Sequence, residues 1–224
     1  IAIGVESGDH VGLWMTNRPA WLHLLYAVAK IGGCLVPLNT RYRSTDLAYT
    51  VTNAECSNLV CIYRSGPIDY RALLAEARPT IEAAGHLRSI VILGEPMGGG
   101  GSASETGWRA MLDAGKAVTD DDLAGRAAVV DPDQLMMLAY TSGTTGHPKG
   151  VMHSHRPVRN IRERAMLLGH NRNDVHLNYL PLFHIYSLSE VAVMCAITGS
   201  AQVLFETFDP PAVLDAMEND HATV

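Results

Sequence analysis

The residues best suited to chemistry lie between Tyr140 and Val151, in the string Tyr-Thr-Ser-Gly-Thr-Thr-Gly-His-Pro-Lys-Gly-Val. Thr141, Ser142, Thr144 and Thr145 offer four hydroxyls, Gly143, Gly146 and Gly150 leave the backbone uncovered, and Lys149 adds an ammonium. A loop this rich in glycine can turn its N–H groups inward, and the hydroxyls and ammonium then supply further donors. Such a set suits several anionic oxygens at once, as in a polyphosphate. Two familiar cradles are excluded by spacing. Counted from Gly143, the position that a Walker loop gives to its second glycine is Pro148. Gly143 and Gly146 are three apart with no glycine between them, which breaks the dinucleotide fingerprint. A flexible Ser/Thr/Gly linker shares the composition, but such a linker does not usually lie between two apolar runs and end in Pro-Lys-Gly.

A second chemical stretch is Pro181-Leu182-Phe183-His184-Ile185-Tyr186-Ser187. Phe183, His184 and Tyr186 can make an apolar wall with one polar tip, which suits an acyl or aryl group ending in a carboxylate. Equally, His184 can cap a turn while the aromatics fill a core; the residue types alone leave both open. Other clusters are weaker. His153 and His155 form an H-x-H pair with no third ligand nearby, so no metal ligand is assigned. Asp120-Asp121-Asp122 reads as a solvated helix start rather than a metal site. Residues 94–107, with a glycine run at 98–101, follow a strand but have no lysine and no defined glycine spacing, and are expected to be a mobile surface loop.

The elements around these stretches alternate. Strands are expected at residues 11–15, 34–37, 58–63, 89–93, 134–139, 175–180 and 201–205, with a short apolar run at 151–153. Helices are expected at 19–31, from Ser44 or Asp46 to about 53, at 68–84, from Arg156 or Pro157 to 168, and at 211–219. Ser187-Leu188-Ser189-Glu190 is a capping-box pattern, so a further helix should begin after Ser187 and reach about 198. Strand alternating with helix implies an α/β fold with layered, mostly parallel sheets flanked by helices.

With 224 residues the chain is long enough for a sizeable core. Hydrophobic residues at 47% against 18% charged place it among ordinary globular proteins rather than disordered ones. A formal net charge of -6 provides no electrostatic footprint for nucleic acid or anionic lipid, so anion binding has to be local. Cys34, Cys56, Cys61 and Cys195 make no C-x-x-C pair and are expected as free buried thiols of a reducing compartment, the cytoplasm. The longest apolar stretches are broken by Lys30 and by Glu190 with glycines nearby, so neither reads as a membrane span.

The string from Tyr140 to Val151 resembles the signature loop of the adenylate-forming superfamily, which holds acyl-CoA and aryl-CoA synthetases, luciferases and the adenylation domains of peptide synthetases. Gly8-Asp9-His10-Val11-Gly12-Leu13, Asn17-Arg18-Pro19-Ala20-Trp21 and Gly32-Gly33-Cys34-Leu35-Val36-Pro37-Leu38-Asn39 are similar to the first core region of these synthetases. The resemblance implies that Thr141, Ser142, Thr144, Thr145 and Lys149 hold the β and γ phosphates of ATP, with Gly143, Gly146 and Gly150 giving the loop its reach. It gives no role to His147, a position that varies in such loops. Phe183-His184 resembles the segment of acid–CoA ligases whose histidine lines the carboxylate end of the acyl pocket. Amino-acid adenylation domains typically carry Phe-Asp there, so a simple carboxylic acid is preferred as substrate.

The implied activity is that of an AMP-forming acid–thiol ligase. A fatty or aryl acid is activated to an acyl adenylate with release of pyrophosphate, and coenzyme A then takes the acyl group; ATP, Mg2+ and coenzyme A are the expected cofactors. Residues 1–224 would be part of an N-terminal AMP-binding domain, with 1–93 a first βα subdomain, 94–133 a variable connection and 134–224 the phosphate-loop and acyl-pocket region. The adenine and ribose contacts and the C-terminal domain would lie beyond Val224, so these residues alone are expected to turn over poorly. Two alternatives stay open: a non-catalytic nucleotide-binding module, and an adenylation domain that loads a carrier protein.

Overall fold

In the computed structural model, residues 1–94, 103–141 and 146–224 are described. They divide into two compact units, Ile1–Met15 with Leu25–Ser154, and Thr16–Leu24 with His155–Val224. The first unit is built on a sheet of seven strands among the described residues. In chain order these are β1 (His10–Trp14), β2 (Cys34–Pro37), β3 (Asn58–Ile62), the two-residue hairpin strands β4 (Arg64–Ser65) and β5 (Ile68–Asp69), which stand apart, then β6 (Ser89–Leu93), β7 (Ser104–Gly107), β8 (Leu135–Thr141) and β9 (Lys149–Ser154). Their spatial order is β7-β6-β3-β1-β2-β8-β9. Every neighbouring pair is parallel except β8 with β9, which is antiparallel.

The central strands are buried along nearly their whole length, as apolar runs such as Leu59-Val60-Cys61-Ile62 require when both faces of a parallel sheet are covered. Helices α1 (Pro19–Lys30), α2 (Ser44–Asn53), α3 (Tyr70–Ala83), α4 (Trp108–Gly115) and α5 (Asp120–Ala128) connect the strands. Asp69 caps α3 by accepting the Ala72 N–H at 3.0 Å, and Thr119 caps α5 in a reciprocal box with Asp122. The triple aspartate is therefore a solvated helix start. Trp14 is fully enclosed, with its ring edge-on to Tyr70 at 4.8 Å and its indole N–H donated to the Asn39 carbonyl at 3.1 Å. All four cysteines are free and buried, and burial pushes the Cys34 and Cys61 thiols up to about 12.

The second unit carries α6 (Pro157–Leu168), a parallel pair of strands β10 (Val175–Asn178) and β11 (Ala201–Leu204), a π-helical turn Ser187–Val193 running into α7 (Met194–Thr198), and α8 (Pro210–Asn219). Leu177, Val213 and Ala216 form a small core with Tyr179, Val203 and Phe205 packed against it. No helix among the described residues is long and apolar enough to cross a membrane.

Several local expectations change. The glycine run at 98–101 lies outside the described residues, but just after it Ser104–Gly107 forms an edge strand where a loop was expected. The helix expected to start after Ser187 begins at Ile185 instead. Ser187 does not cap it, because its buried hydroxyl sits 2.6 Å from Asn178 Oδ1 and 2.8 Å from the Leu180 carbonyl. Glu190 pairs with Arg164 at 2.7 Å rather than closing a capping box.

The edge strand is tied down by charge. Arg78, in α3, donates to Glu82 at 2.8 Å, to Glu105 of β7 at 3.0 Å and to the Ala103 carbonyl at 3.2 Å, with its side chain only 10% exposed. Removing the guanidinium leaves two largely buried carboxylates without their shared partner. Arg78→Ala is expected to lose roughly 3 kcal/mol of stability, measured by urea denaturation.

Candidate functional site

β8 runs parallel to β2, pairing at Leu35 and Met137, so it ends at the same edge as the C-terminal ends of the parallel strands. In open α/β sheets that edge is where ligands bind. The chain returns along β9, and the last described cross-strand pair is Thr141 with Lys149. The segment between them is the glycine- and hydroxyl-rich loop. Ser142, Gly143, Thr144 and Thr145 lie outside the described residues.

Thr141 is exposed at the end of β8, its hydroxyl 3.5 Å from the Lys149 carbonyl across the hairpin mouth. Gly146 has φ +117°, a conformation that favours glycine. Lys149 and Gly150 are not loop residues but the first two of β9. Lys149 stands exposed, with no ion-pair partner among the described residues. Gly150 answers a packing demand: a Cβ there would meet Leu138 Cδ1 at 2.9 Å and Tyr140 Cζ at 3.3 Å. Its role on the described backbone is close approach of β8 side chains to β9.

Two side chains that sequence reasoning passed over hold this hairpin. Tyr49, on α2, stacks on His147 with ring centroids 4.5 Å apart at 20°, and its hydroxyl reaches the Pro148 carbonyl at 3.4 Å. Tyr140 donates to Asn53 Oδ1 at 2.7 Å, and burial raises its phenol pKa. The available signal was the position of Tyr49 on a helix following β2. Its partner His147 lies 98 residues further on, too distant for any local pattern.

In the second unit, Phe183 and His184 lie in the turn after β10, their rings 4.4 Å apart. The His184 N–H bonds the Pro181 carbonyl at 3.0 Å, and the His184 carbonyl accepts from Leu188 at 3.1 Å, so its backbone starts the helical turn. The side chain is exposed. Tyr186, also exposed, lines a cavity of about 300 Å3 with Arg164, His170, His176, Asn178, Glu190 and Met194 among its walls. The expected site residues thus fall into a hairpin group in one unit and an aromatic–histidine group in the other.

Asn17, singled out in the sequence only within the Asn-Arg-Pro-Ala-Trp string, brackets the segment before Phe183. Its amide donates to the Leu180 carbonyl at 2.8 Å, and its side-chain oxygen accepts the Leu182 N–H at 2.7 Å. His176 is fully buried, and its pKa is lowered, first by that burial and then by neighbouring His170. Its Nε2 has no hydrogen-bond partner among the described residues, which costs about 1–3 kcal/mol.

A seven-stranded, mostly parallel sheet with helices connecting its strands defines an open-sheet α/β protein. The model of the AMP-binding enzyme family matches residues 1–224, and the chain belongs to that family. The candidate acyl-CoA synthetase YngI of Bacillus subtilis is 33% identical over 99% of this chain and 42% of its own length. The long-chain-fatty-acid–CoA ligase FadD13 of Mycobacterium tuberculosis is 30% identical over 95% of this chain and 38% of its own. Among solved structures, ATP-bound MatB from Rhodopseudomonas palustris superposes with a TM-score of 0.72 at 26% identity, over 97% of this chain and 39% of that one. The chain therefore spans less than half the length of these relatives.

Asn17→Leu leaves the buried Leu182 N–H without its partner and the Leu180 carbonyl with the Ser187 hydroxyl alone, and is expected to destabilise the second unit by about 1–3 kcal/mol in a urea titration followed by tryptophan fluorescence. Tyr49 yields a graded pair. Tyr49→Phe keeps the ring stack and should leave stability near that of the parent, whereas Tyr49→Ala should lose roughly 0.5–1.5 kcal/mol in urea denaturation.

Proposed function

We propose that this chain is the phosphate-binding and acyl-binding portion of an AMP-forming acid–thiol ligase. Such an enzyme joins a simple carboxylic acid, fatty or aryl, to coenzyme A through an acyl adenylate. The observation that carries the reading is the hairpin between β8 and β9, with Lys149 exposed at its exit, in a chain matched by the AMP-binding family along its whole length. Attack of a carboxylate oxygen on the α-phosphorus brings two anions together, so the chemical problem is charge neutralisation and in-line placement rather than proton removal. In this reading Thr141, Ser142, Thr144, Thr145 and Lys149 donate to the β and γ phosphates and hold the departing pyrophosphate. Gly143 and Gly146 let the backbone approach, and Gly150 sets the hairpin's closeness.

An exposed ammonium beside a left-handed glycine at the edge of a parallel sheet fits a polyphosphate. Mg2+, when bound, would neutralise part of the phosphate charge; no ligand for it is assigned to this chain. Phe183, His184 and Tyr186 are assigned to the acyl side. An ionised carboxylate needs no general base, so His184 is given a positioning and polarising role at the carboxylate end of the acyl group. The absence of a carboxylate beside Phe183 argues for an acid without an ammonium group. Buried free thiols fit a reducing compartment such as the cytoplasm.

The test is carboxylate-dependent exchange of labelled pyrophosphate into ATP, made on the natural full-length protein with and without Lys149→Ala. Exchange that requires the acid and falls by about 100-fold or more in the variant supports the proposal. Nucleotide binding with no exchange overturns it in favour of a binding module. Exchange followed by acyl transfer to a carrier-protein thiol, with none to coenzyme A, overturns the choice of thiol.

A further inference from the structure

The second unit contains a side-chain cluster to which the proposed function gives no role. His170 follows α6, which ends on Gly169 in the left-handed conformation, and a turn then leads through Asp174 to His176 in β10. The chain doubles back so that one nitrogen of each histidine and one carboxylate oxygen of Asp174 lie within 4.8 Å of one another. The two imidazole centroids are 5.0 Å apart.

Part of this arrangement is an ordinary turn. Asp174 accepts from the Asn171 N–H at 2.8 Å, from the Asn171 amide at 3.4 Å and from the Thr223 hydroxyl at 3.1 Å. These bonds account for the position of Asp174 but not for the histidines. His170 Nδ1 is 3.6 Å from the carboxylate, beyond hydrogen-bonding reach. His176 is 1% exposed and its Nε2 is enclosed without a hydrogen-bond partner among the described residues. Both rings also line the 300 Å3 cavity. Buried polar nitrogens are ordinarily paired, and two imidazoles with a carboxylate converging on one point lack only a cation between them.

We propose that His170, Asp174 and His176 form a binding site for one zinc-class divalent cation. Two imidazole nitrogens and one carboxylate oxygen are a zinc donor set, and they are too rich in nitrogen for Mg2+ or Ca2+, which take oxygen ligands. A carboxylate has about four acceptor positions. Three are taken here, which leaves one for the metal. Ligand atoms around tetrahedral zinc stand about 3.3 Å apart, so the cluster tightens on binding. His170 lies outside any strand, whereas His176 is fixed within β10. A fourth coordination position remains for water on the cavity side. The site would clip the end of α6 to the start of β10.

The test is calorimetric titration of the intact protein with Zn2+ and, separately, with Mg2+, alongside Co2+ absorption, whose visible bands report tetrahedral nitrogen and oxygen ligation. One equivalent of Zn2+ is expected, with no competition from excess Mg2+. His170→Gln, which alters a turn residue and spares the core, is expected to weaken Zn2+ binding by at least about tenfold. His176→Gln should do the same if its circular dichroism and melting match the parent, and the double variant His153→Gln/His155→Gln should bind as the parent does. Absence of saturable Zn2+ binding overturns the proposal. So does unchanged affinity in His170→Gln, which would put the metal elsewhere. Neither outcome bears on pyrophosphate exchange, so this site and the ligase reading fail independently.

Discussion

The parallel pairing of β8 with β2 is the constraint on which the proposed phosphate hairpin depends. Those strands lie about a hundred residues apart in sequence, and their register, Leu35 beside Met137, decides at which edge of the sheet β8 ends. Gln134 reinforces the alignment by donating to the Gly32 carbonyl at 2.5 Å, just before each strand begins. A strand of opposite direction would deliver the glycines and hydroxyls to the other edge, away from the C-terminal ends where parallel sheets bind ligands. The loop's chemistry is local, but its usefulness is set by a long-range pairing.

Once β8 is placed, β9 can only return antiparallel, and the hairpin becomes the far edge of the sheet. Edge hairpins are free to move unless something covers them. Here α2 supplies the cover, through the Tyr49 stack on His147 and through Asn53, which accepts from Tyr140. Both contacts grip the hairpin beside the loop and leave Thr141 and Lys149 exposed at its mouth. The described ends of the hairpin are therefore held by α2 at Tyr140 and His147 while Thr141 and Lys149 stay accessible to solvent.

The alternation of apolar runs and helical spacing was enough to place most strands and helices within a residue or two. Residues 34–37, 58–62 and 89–93 are mostly apolar and are buried along nearly their whole length. What was not legible depended on partners distant in sequence. Ser104–Gly107 has no strand-like composition and becomes a strand because β6 presents an open ladder beside it and Arg78 fixes Glu105. Ser187 looks like a cap because local pattern pairs it with Glu190, yet β10 ends nearby with the Leu180 carbonyl and a buried Asn178 that compete for the same hydroxyl. Lys149 and Gly150 read as loop because lysine and glycine are poor strand formers, but pairing with Thr141 and Tyr140 overrides propensity.

The same distinction separates the two groups of site residues. The hairpin residues are contiguous, so their chemistry could be read from one string of twelve. His184 was ambiguous in sequence because its neighbours do not determine whether it faces a ligand or caps a turn, and its backbone in fact does start a helical turn while its ring stays exposed. The two functions are compatible: a residue whose backbone is fixed by the Pro181 carbonyl and the Leu188 N–H presents its ring at a defined place. Asn17 strengthens that fixation from the far end of the sequence, since both bonds of its amide go to the residues just before Phe183. In the proposed role, a histidine held in this way would lose little entropy on orienting a carboxylate, because the backbone that carries it is already ordered.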